Sequence, residues 1–204
     1  MVSRCARGDG SHLRLGHAPD DGRLWNVLRP ENTAPAPGRP HQTVNRLRLA
    51  IVTCGFLGLS PFAPGTVGTL GGVALVWALR GTENFLLWTL LACGVLYVVG
   101  RSLGEWSEQY AGGKDPGFFV LDEVIGYLVT CLAWRGPSLL GLTLAFFVFR
   151  FFDIIKPPPA RRMERLGGGD GILLDDVVAG LYGLGVMIVC QQLFLEPEHW
   201  FVQP

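Results

Sequence analysis

Five acidic residues lie inside or at the edge of strongly apolar segments of this chain. They are Asp122 and Glu123 in FFVLDEVIGYLV, Asp153 in FVFRFFDIIKPPP, and Asp175 and Asp176 in GILLDDVVAGLYG. A carboxylate in apolar surroundings is costly unless it is paired, protonated or bound to a metal. Because three separate segments carry this cost, we expect the acids to meet at one site. Hard cations such as Mg²⁺ prefer oxygen ligands, so the set predicts a magnesium-dependent enzyme.

Two basic residues accompany one of these acids on its own segment. Arg150, Asp153 and Lys156 are spaced i, i+3, i+6, which places one acid between two cations along a helical stripe. One interpretation is an ion pair that lowers the cost of burying three charges. The other gives Asp153 a metal ion and gives the two cations a substrate phosphate, which Arg binds as a fork and Lys as a point charge.

The adjacent acids need not share one role. Neighbouring residues point about 100° apart on a helix, so one can bind a metal while the other orients a partner group or the attacking water. The alternative for each pair is an acidic helix N-terminus stabilised by the helix dipole. The predicted metal ligands are Asp122, Glu123, Asp153 and Asp176, and Asp175 joins them as a predicted catalytic residue.

Two glycine-rich stretches lie close to these residues in the sequence. In GGGDGILLDD, Asp170 is predicted to cap the N-terminus of the last helix, which is expected to begin with Asp175 and Asp176, and exposed backbone N–H groups there could hold an anion. The segment PFAPGTVGT is predicted to be a shaped loop rather than a regular element. It offers the hydroxyls of Ser60, Thr66 and Thr69 beside glycines that allow close backbone approach, although a plain turn would explain it equally well.

The residues that are missing narrow the chemistry. All four histidines lie in the N-terminal tail or at the extreme C-terminus, which argues against a Ser-His-Asp hydrolase or a phosphohistidine phosphatase. No cysteine is followed six residues on by arginine, and no Asp-x-Asp is present as an aspartyl-phosphate nucleophile. Attack by a metal-bound water on a phosphate remains, with one carboxylate as the general base.

The apolar segments predict an all-α fold, a polytopic membrane bundle of four to five helices. The clearest span is 85–100, and the other apolar stretches are 47–60, 70–79, 118–134, 138–155 and 172–195. The first of these is too short to cross a bilayer and ends at a proline, so a re-entrant or interfacial segment is expected there. Several stretches fall short of the usual span length, and a soluble all-helical domain with a very apolar core is the alternative.

The charge distribution separates a tail from the apolar body. Residues 1–46 hold seven arginines and four acids, although the whole chain has a net charge of zero. We expect 1–46 to be a disordered basic extension or the product of a misassigned start codon, and 47–204 to be the membrane domain. The slightly acidic body gives no case for nucleic acid binding. Five cysteines without a C-x-x-C pair are expected to be free thiols in a reducing compartment.

Lysine and arginine placement predicts the orientation. With the tail inside, each external connection carries one positive charge, Arg80 or Arg135. The internal connections carry Arg101, Lys114, Lys156, Arg161, Arg162 and Arg165. This satisfies the positive-inside rule. All five acids and the PFAPGTVGT segment then lie at the cytoplasmic ends of their helices.

Four stretches, taken in order, resemble the motifs of the phosphatidylglycerophosphatase A family. They are LSPFAPGTVGTLGG, LDEVIGYLV, FRFFDIIKPPPARRME and GGGDGILLDDVVAG, and the resemblance covers roughly 47–195. It implies a Mg²⁺-dependent phosphatase of the bacterial inner membrane that converts phosphatidylglycerophosphate to phosphatidylglycerol in phospholipid biosynthesis. The five acids match the family's acidic positions, Lys156-Pro157 its Lys-Pro, and Pro64-Gly65-Thr66 its Pro-Gly-Thr loop. The departures are the long N-terminal tail and a third consecutive proline.

The same residues leave other functions open. Arg150, Lys156, Thr66 and Gly65 are the predicted phosphate-binding residues, but they would serve a soluble or peripheral phosphatase of a non-lipid phosphomonoester equally well. A small membrane carrier would place its acids in mid-span, whereas these lie at one face. A phosphatidyltransferase would need Asp-x-x-Asp-Gly followed by two further aspartates, a run that the sequence lacks.

Overall fold

A computed structural model of the chain describes residues 46–133, 136–163 and 166–193. These residues belong to one compact unit, Pro40–Pro204. Their α-helices are α1 (Arg46–Val52), α2 (Pro64–Leu79), α3 (Phe85–Ala111), α4 (Leu121–Thr130), α5 (Leu139–Ile155), α6 (Ala160–Met163) and α7 (Gly168–Leu193), with short 3₁₀ turns at Leu57–Leu59 and Cys131–Ala133. No strand occurs in these three ranges, so the all-α prediction is confirmed.

The short helix α4 lies at the centre of the bundle. Nine of its ten residues are buried, and α2, α3, α5 and α7 pack around it. Its Tyr127 is fully buried and donates a hydrogen bond of 3.0 Å to the Leu142 carbonyl of α5. Ten residues rise only about 15 Å, which is half of a bilayer core. The apolar stretch 118–134, predicted to be a span, therefore contains a buried core helix.

Two helices are long and apolar enough to cross a membrane, α3 with 27 residues and α7 with 26. Large apolar side chains of α3 point away from the protein, among them Leu87, Trp88, Val95 and Val98. A continuous apolar surface of this kind is rare on soluble monomers and indicates a membrane protein. The larger number of four to five spans and the re-entrant or interfacial N-terminal segment stay predictions.

Glycines let these helices approach closely. A Cβ atom at Gly126 of α4 would meet the Asp176 carbonyl of α7 at 2.6 Å, and one at Gly72 of α2 would meet the Tyr127 ring at 3.0 Å. Small residues at such crossings bring backbones into contact. The pairs of facing residues show that α2, α4 and α7 run parallel to one another and antiparallel to α3 and α5. The N-termini of three helices therefore meet the C-terminus of α5 at one end.

Three local predictions were wrong. Pro64 begins α2, so most of the predicted PFAPGTVGT loop is helical, as proline tolerates the first helical position. Helix α7 begins at Gly168, two turns before Asp175. Asp170 consequently lies inside the first turn of α7 and is not its N-cap.

Four of the five cysteines are free thiols, as predicted, and the reducing compartment stays a prediction. Cys131 is buried and free, and Cys54, Cys93 and Cys190 are half-buried and free. Burial raises the pKa of the Cys54 thiol, which keeps it protonated near neutral pH. Cys5 and the predicted disordered extension 1–46 lie outside the described residues, apart from Arg46, which begins α1.

Candidate active site

The structure brings the five acids together at one end of the bundle. The first turn of α4 supplies Asp122 and Glu123, the last turn of α5 supplies Asp153, and α7 supplies Asp175 and Asp176. The four aspartates are buried, with exposed fractions of 7%, 8%, 4% and 3% in sequence order. Glu123 is half-buried. Helix packing converts three distant segments into one carboxylate cluster.

Three of these carboxylates form a group with the dimensions of a metal site. Asp122, Glu123 and Asp176 each offer an oxygen, and the three oxygens lie within 4.8 Å of one another. Oxygens on opposite sides of an octahedral Mg²⁺ lie about 4.2 Å apart, so small side-chain movements would bring this set around one ion. Asp153 is not part of the group, and its predicted role as a metal ligand stays a prediction.

The bonding state of Glu123 agrees with a cation at this position. Its Oε2 atom is buried and has no hydrogen-bond partner among the described residues. A buried carboxylate oxygen is costly to leave unsatisfied, and a divalent cation would satisfy it. The donor set consists of carboxylate oxygens alone, which suits a hard cation such as Mg²⁺. The residues present therefore fit the metal that the sequence predicts.

The other two aspartates are paired with cations. Arg150 donates from Nη1 to Asp153, and Lys156 donates from Nζ to Asp175 at 2.6 Å. Lys156 ends α5 in a left-handed conformation with φ of 47°, so it leaves the helical stripe of Arg150 and Asp153. The single helical stripe predicted for Arg150, Asp153 and Lys156 is therefore wrong, because the helix ends before Lys156 and Lys156 bonds Asp175.

Arg150 retains hydrogen-bonding capacity beyond its ion pair. Its side chain is 17% exposed, and its Nε atom is buried without a hydrogen-bond partner among the described residues. A guanidinium with unused donors beside a carboxylate cluster is suited to bind a phosphate oxygen.

The N-terminus of α2 lies beside Glu123 and Arg150. Gly65 lies against Oε1 of Glu123, and a Cβ at Gly65 would lie 3.3 Å from Nη1 of Arg150. The predicted phosphate-binding residue Thr66 lies in the same first turn and is half-buried. Backbone N–H groups at the start of a helix favour anions. Thr69 instead donates to the Gly65 carbonyl at 2.8 Å, and the Ser60 hydroxyl bonds the Phe62 carbonyl, so these hydroxyls support local structure.

Filling the space at Gly65 should impair the site without unfolding the protein. We expect Gly65→Ala to lower kcat/KM by about 100-fold, because its methyl group would displace the Glu123 carboxylate, and a shift of about 1 Å in a catalytic group can cost that much. Gly81→Ala is the matched control, since a Cβ at Gly81 would meet no described atom within 4 Å. Steady-state phosphate release and thermal melting check the prediction, and equal activity of both variants would contradict it.

Some polar residues near the site have partners that the sequence does not reveal. Asp170 accepts a hydrogen bond from the Tyr97 hydroxyl at 2.8 Å and pairs with Nε of Arg101 at 3.0 Å. It thereby ties α7 to α3 and is separate from the carboxylate cluster. Tyr182 donates to the Pro158 carbonyl at 2.7 Å and stacks on Phe152. The sequence offered one clue to this position of Tyr182. Tyr182 follows Asp175 by seven residues, and residues seven apart lie on the same face of a helix.

A match to a known protein family covers the part of the chain that forms this cluster. The family model described as phosphatidylglycerophosphatase A matches residues 50–191, which include every residue of the cluster. No solved structure matches the chain.

Three curated relatives cover most of the same region. A Haemophilus influenzae phosphatidylglycerophosphatase A is 37% identical over 142 residues, which cover 68% of this chain and 85% of the relative. The Escherichia coli phosphatidylglycerophosphatase A is 34% identical over 146 residues, 70% of this chain and 79% of the relative. A Bacteroides thetaiotaomicron protein, named provisionally as a phosphatidylinositol-3-phosphatase, is 37% identical over 140 residues, 66% of this chain and 87% of its own length.

Proposed function

The chain belongs to the phosphatidylglycerophosphatase A family, and on that premise we propose that it hydrolyses phosphatidylglycerophosphate to phosphatidylglycerol and phosphate, a step of phospholipid biosynthesis. The observation that carries the proposal is the metal-sized group of Asp122, Glu123 and Asp176 beside Arg150. Carboxylates and a cation at one end of apolar helices suit a phosphate that is attached to a lipid.

In this proposal Asp122, Glu123 and Asp176 hold Mg²⁺. The ion would stabilise negative charge on the phosphoryl oxygens and make a nearby water more acidic. A carboxylate of the cluster accepts a proton from the attacking water while the water oxygen bonds to phosphorus. The ester P–O bond then breaks, and the leaving glycerol oxygen takes up the proton that the carboxylate accepted, which gives the hydroxyl of phosphatidylglycerol and restores the carboxylate.

Four residues are proposed to bind the phosphate. Arg150 directs its guanidinium, whose Nε atom is buried without a partner among the described residues, at the phosphoryl oxygens, where charge develops in the transition state. The first turn of α2, with Gly65 and Thr66, offers backbone N–H groups beside Arg150. Lys156 neutralises further negative charge, and Asp175 and Asp153 orient the two cations through their ion pairs.

We propose that the protein is a multi-pass protein of the bacterial inner membrane whose active site faces the cytoplasm. Two helices of spanning length and the exposed apolar side chains of α3 support the membrane assignment. Lys156, Arg161 and Arg162 follow α5 at the end that holds the carboxylates, as the positive-inside rule expects of a cytoplasmic face. Arg135 and Arg165, which the orientation argument also uses, lie outside the described residues.

One relative suggests a second candidate substrate. The Bacteroides relative's name points to phosphatidylinositol 3-phosphate, which is also a phosphomonoester on a lipid headgroup. A non-lipid phosphomonoester is less favoured, because the apolar outer surface of α3 would have no purpose in a soluble enzyme. A carrier is less favoured because all five acids gather towards one end of the bundle, although Asp175 and Asp176 lie two turns into α7.

The test is phosphate release by the purified full-length protein in detergent micelles with Mg²⁺. Four substrates decide it, namely phosphatidylglycerophosphate, phosphatidylinositol 3-phosphate, phosphatidate and glycerol 3-phosphate. We expect kcat/KM to be highest for phosphatidylglycerophosphate, by at least about tenfold, a difference of about 1.4 kcal/mol in transition-state binding. A preference for phosphatidylinositol 3-phosphate would support the second candidate, and a preference for glycerol 3-phosphate would overturn the lipid assignment.

A further inference from the structure

An apolar groove of about 380 Å³ runs along one face of α7. Its lining residues are Leu181, Tyr182, Gly185, Val186, Val189 and Cys190. These residues lie in the part of α7 that is apolar enough to cross a membrane. The side chains of Leu181 and Val189 are each 53% exposed, so the groove opens outward. Its apolar lining makes a hydrocarbon chain a suitable occupant.

The groove begins next to the candidate active site. Tyr182 follows Asp175 by seven residues and Val186 follows it by eleven, so both lie on the same face of α7 as Asp175. The Tyr182 ring stacks on Phe152 with centroids 5.4 Å apart, and its hydroxyl donates to the Pro158 carbonyl. Phe152 directly precedes Asp153 in the chain, and Pro158 lies two residues after Lys156. The end of the groove at Tyr182 therefore contacts residues that are close in sequence to the site residues.

Polar and apolar chemistry adjoin on this side of the bundle. The carboxylate cluster and the Lys156–Asp175 ion pair lie near the N-terminal end of α7, and the apolar groove follows from Leu181 towards the C-terminus of that helix. Phosphatidylglycerophosphate likewise joins a phosphate-bearing headgroup to two acyl chains.

We propose that this groove binds one acyl chain of the lipid substrate. The inference rests on the proposed function and adds a binding site to it. Bilayer lipid is as apolar as the groove, so holding a chain there adds little affinity. Its effect is alignment, because a chain fixed along α7 holds the phosphomonoester at the carboxylates in a reactive position.

Gly185→Leu tests the groove with little risk to the fold. Among the described residues, no atom lies within 4 Å of a Cβ at Gly185, so the new side chain would occupy the groove itself. Gly94→Leu is the matched control. It lies on α3, the other helix of spanning length, and a Cβ there also meets no described atom. Gly185→Ala provides a smaller step at the same position.

The measurement is kcat/KM for dioleoyl and for dihexanoyl phosphatidylglycerophosphate in mixed micelles. Gly185→Leu should lower the dioleoyl-to-dihexanoyl ratio by at least about tenfold, since misplacement by about 1 Å can cost up to about 100-fold. Gly185→Ala should lower the ratio less, and Gly94→Leu should leave it unchanged.

The other outcomes are distinguishable. Equal ratios in Gly185→Leu, Gly94→Leu and the wild type would make the groove ordinary lipid-facing surface and overturn the inference while leaving the proposed function intact. A change in oligomeric state on gel filtration, with the ratio unchanged, would assign the groove to a second copy of the chain and also overturn it. Failure of the wild type to hydrolyse either lipid would overturn the proposed function and the inference together.

Discussion

Asp176→Asn should lower kcat for phosphatidylglycerophosphate by more than about 100-fold while leaving the protein folded. Mutation of a residue that only supports a metal ligand lowers activity or metal affinity by about 10- to 100-fold. Asp176 is itself one of the three carboxylates of the metal-sized group, so we expect a larger loss. Asparagine keeps the size of the side chain and one oxygen but removes the charge. Since the lost charge lies among other acids, the melting temperature without Mg²⁺ should not fall.

Asp170→Asn is the matched control for this substitution. It changes an acid of the same helix that is bound by Tyr97 and Arg101 and lies outside the group of Asp122, Glu123 and Asp176. Partly exposed ion pairs contribute about 0–1 kcal/mol, so kcat should change by no more than a few-fold. If Asp176→Asn retained wild-type kcat, the carboxylate mechanism would be wrong. If both variants lost activity equally, the effect would lie in α7 packing rather than in the site.

Convergence of the acids could be predicted because burial energetics alone demands it. Carboxylates at 122–123, 153 and 175–176 cannot each be isolated among apolar side chains, and the structure places all of them at one end. The sequence also allowed the prediction that the two acids of an adjacent pair have different partners. Asp176 joins the metal-sized group, whereas Asp175 points to Lys156, as neighbours about 100° apart on a helix can do.

The role of α4 could not be read from its composition. A short apolar run bearing acids at its start is compatible with a membrane span and with a buried core helix, because both require apolar side chains. The distinction lies in the surrounding helices, which bury nine of its ten residues. Close contacts at Gly72 and Gly126 make this burial possible, and they join residues far apart in the chain.

The predicted helix boundaries were wrong where packing between helices outweighs the local conformational preference of the sequence. The glycines at 167–169 resemble a loop, yet α7 begins at Gly168, where the adjacent Gly169 packs against the backbone of Arg101 in α3. Asp170 does not cap the helix but accepts a hydrogen bond from Tyr97, which lies 73 residues earlier in the chain. Likewise, the left-handed backbone at Lys156 redirects its side chain from Asp153 to Asp175, and residue spacing on a regular helix cannot anticipate that turn.

Mg²⁺ should raise the melting temperature of the wild-type protein and leave that of Asp176→Asn nearly unchanged. Asp122, Glu123 and Asp176 hold their oxygens within 4.8 Å of one another, an arrangement whose mutual repulsion a divalent cation would relieve. Binding at about 100 times Kd stabilises a folded protein by about 2.7 kcal/mol. For a domain of this size that corresponds to roughly 5–11 °C, at about 2–4 °C per kcal/mol.

The experiment compares EDTA-treated protein in magnesium chloride with the same protein in sodium chloride of equal ionic strength. Sodium chloride controls for screening, which acts weakly on buried charges and should raise the melting temperature far less. Phosphate release should vanish in EDTA and return with Mg²⁺. A melting temperature that rises equally in both salts would show that the carboxylates hold no specific ion. A Mg²⁺ shift that persists in Asp176→Asn would place the ion on other ligands, because Asp176 would then contribute little to its binding.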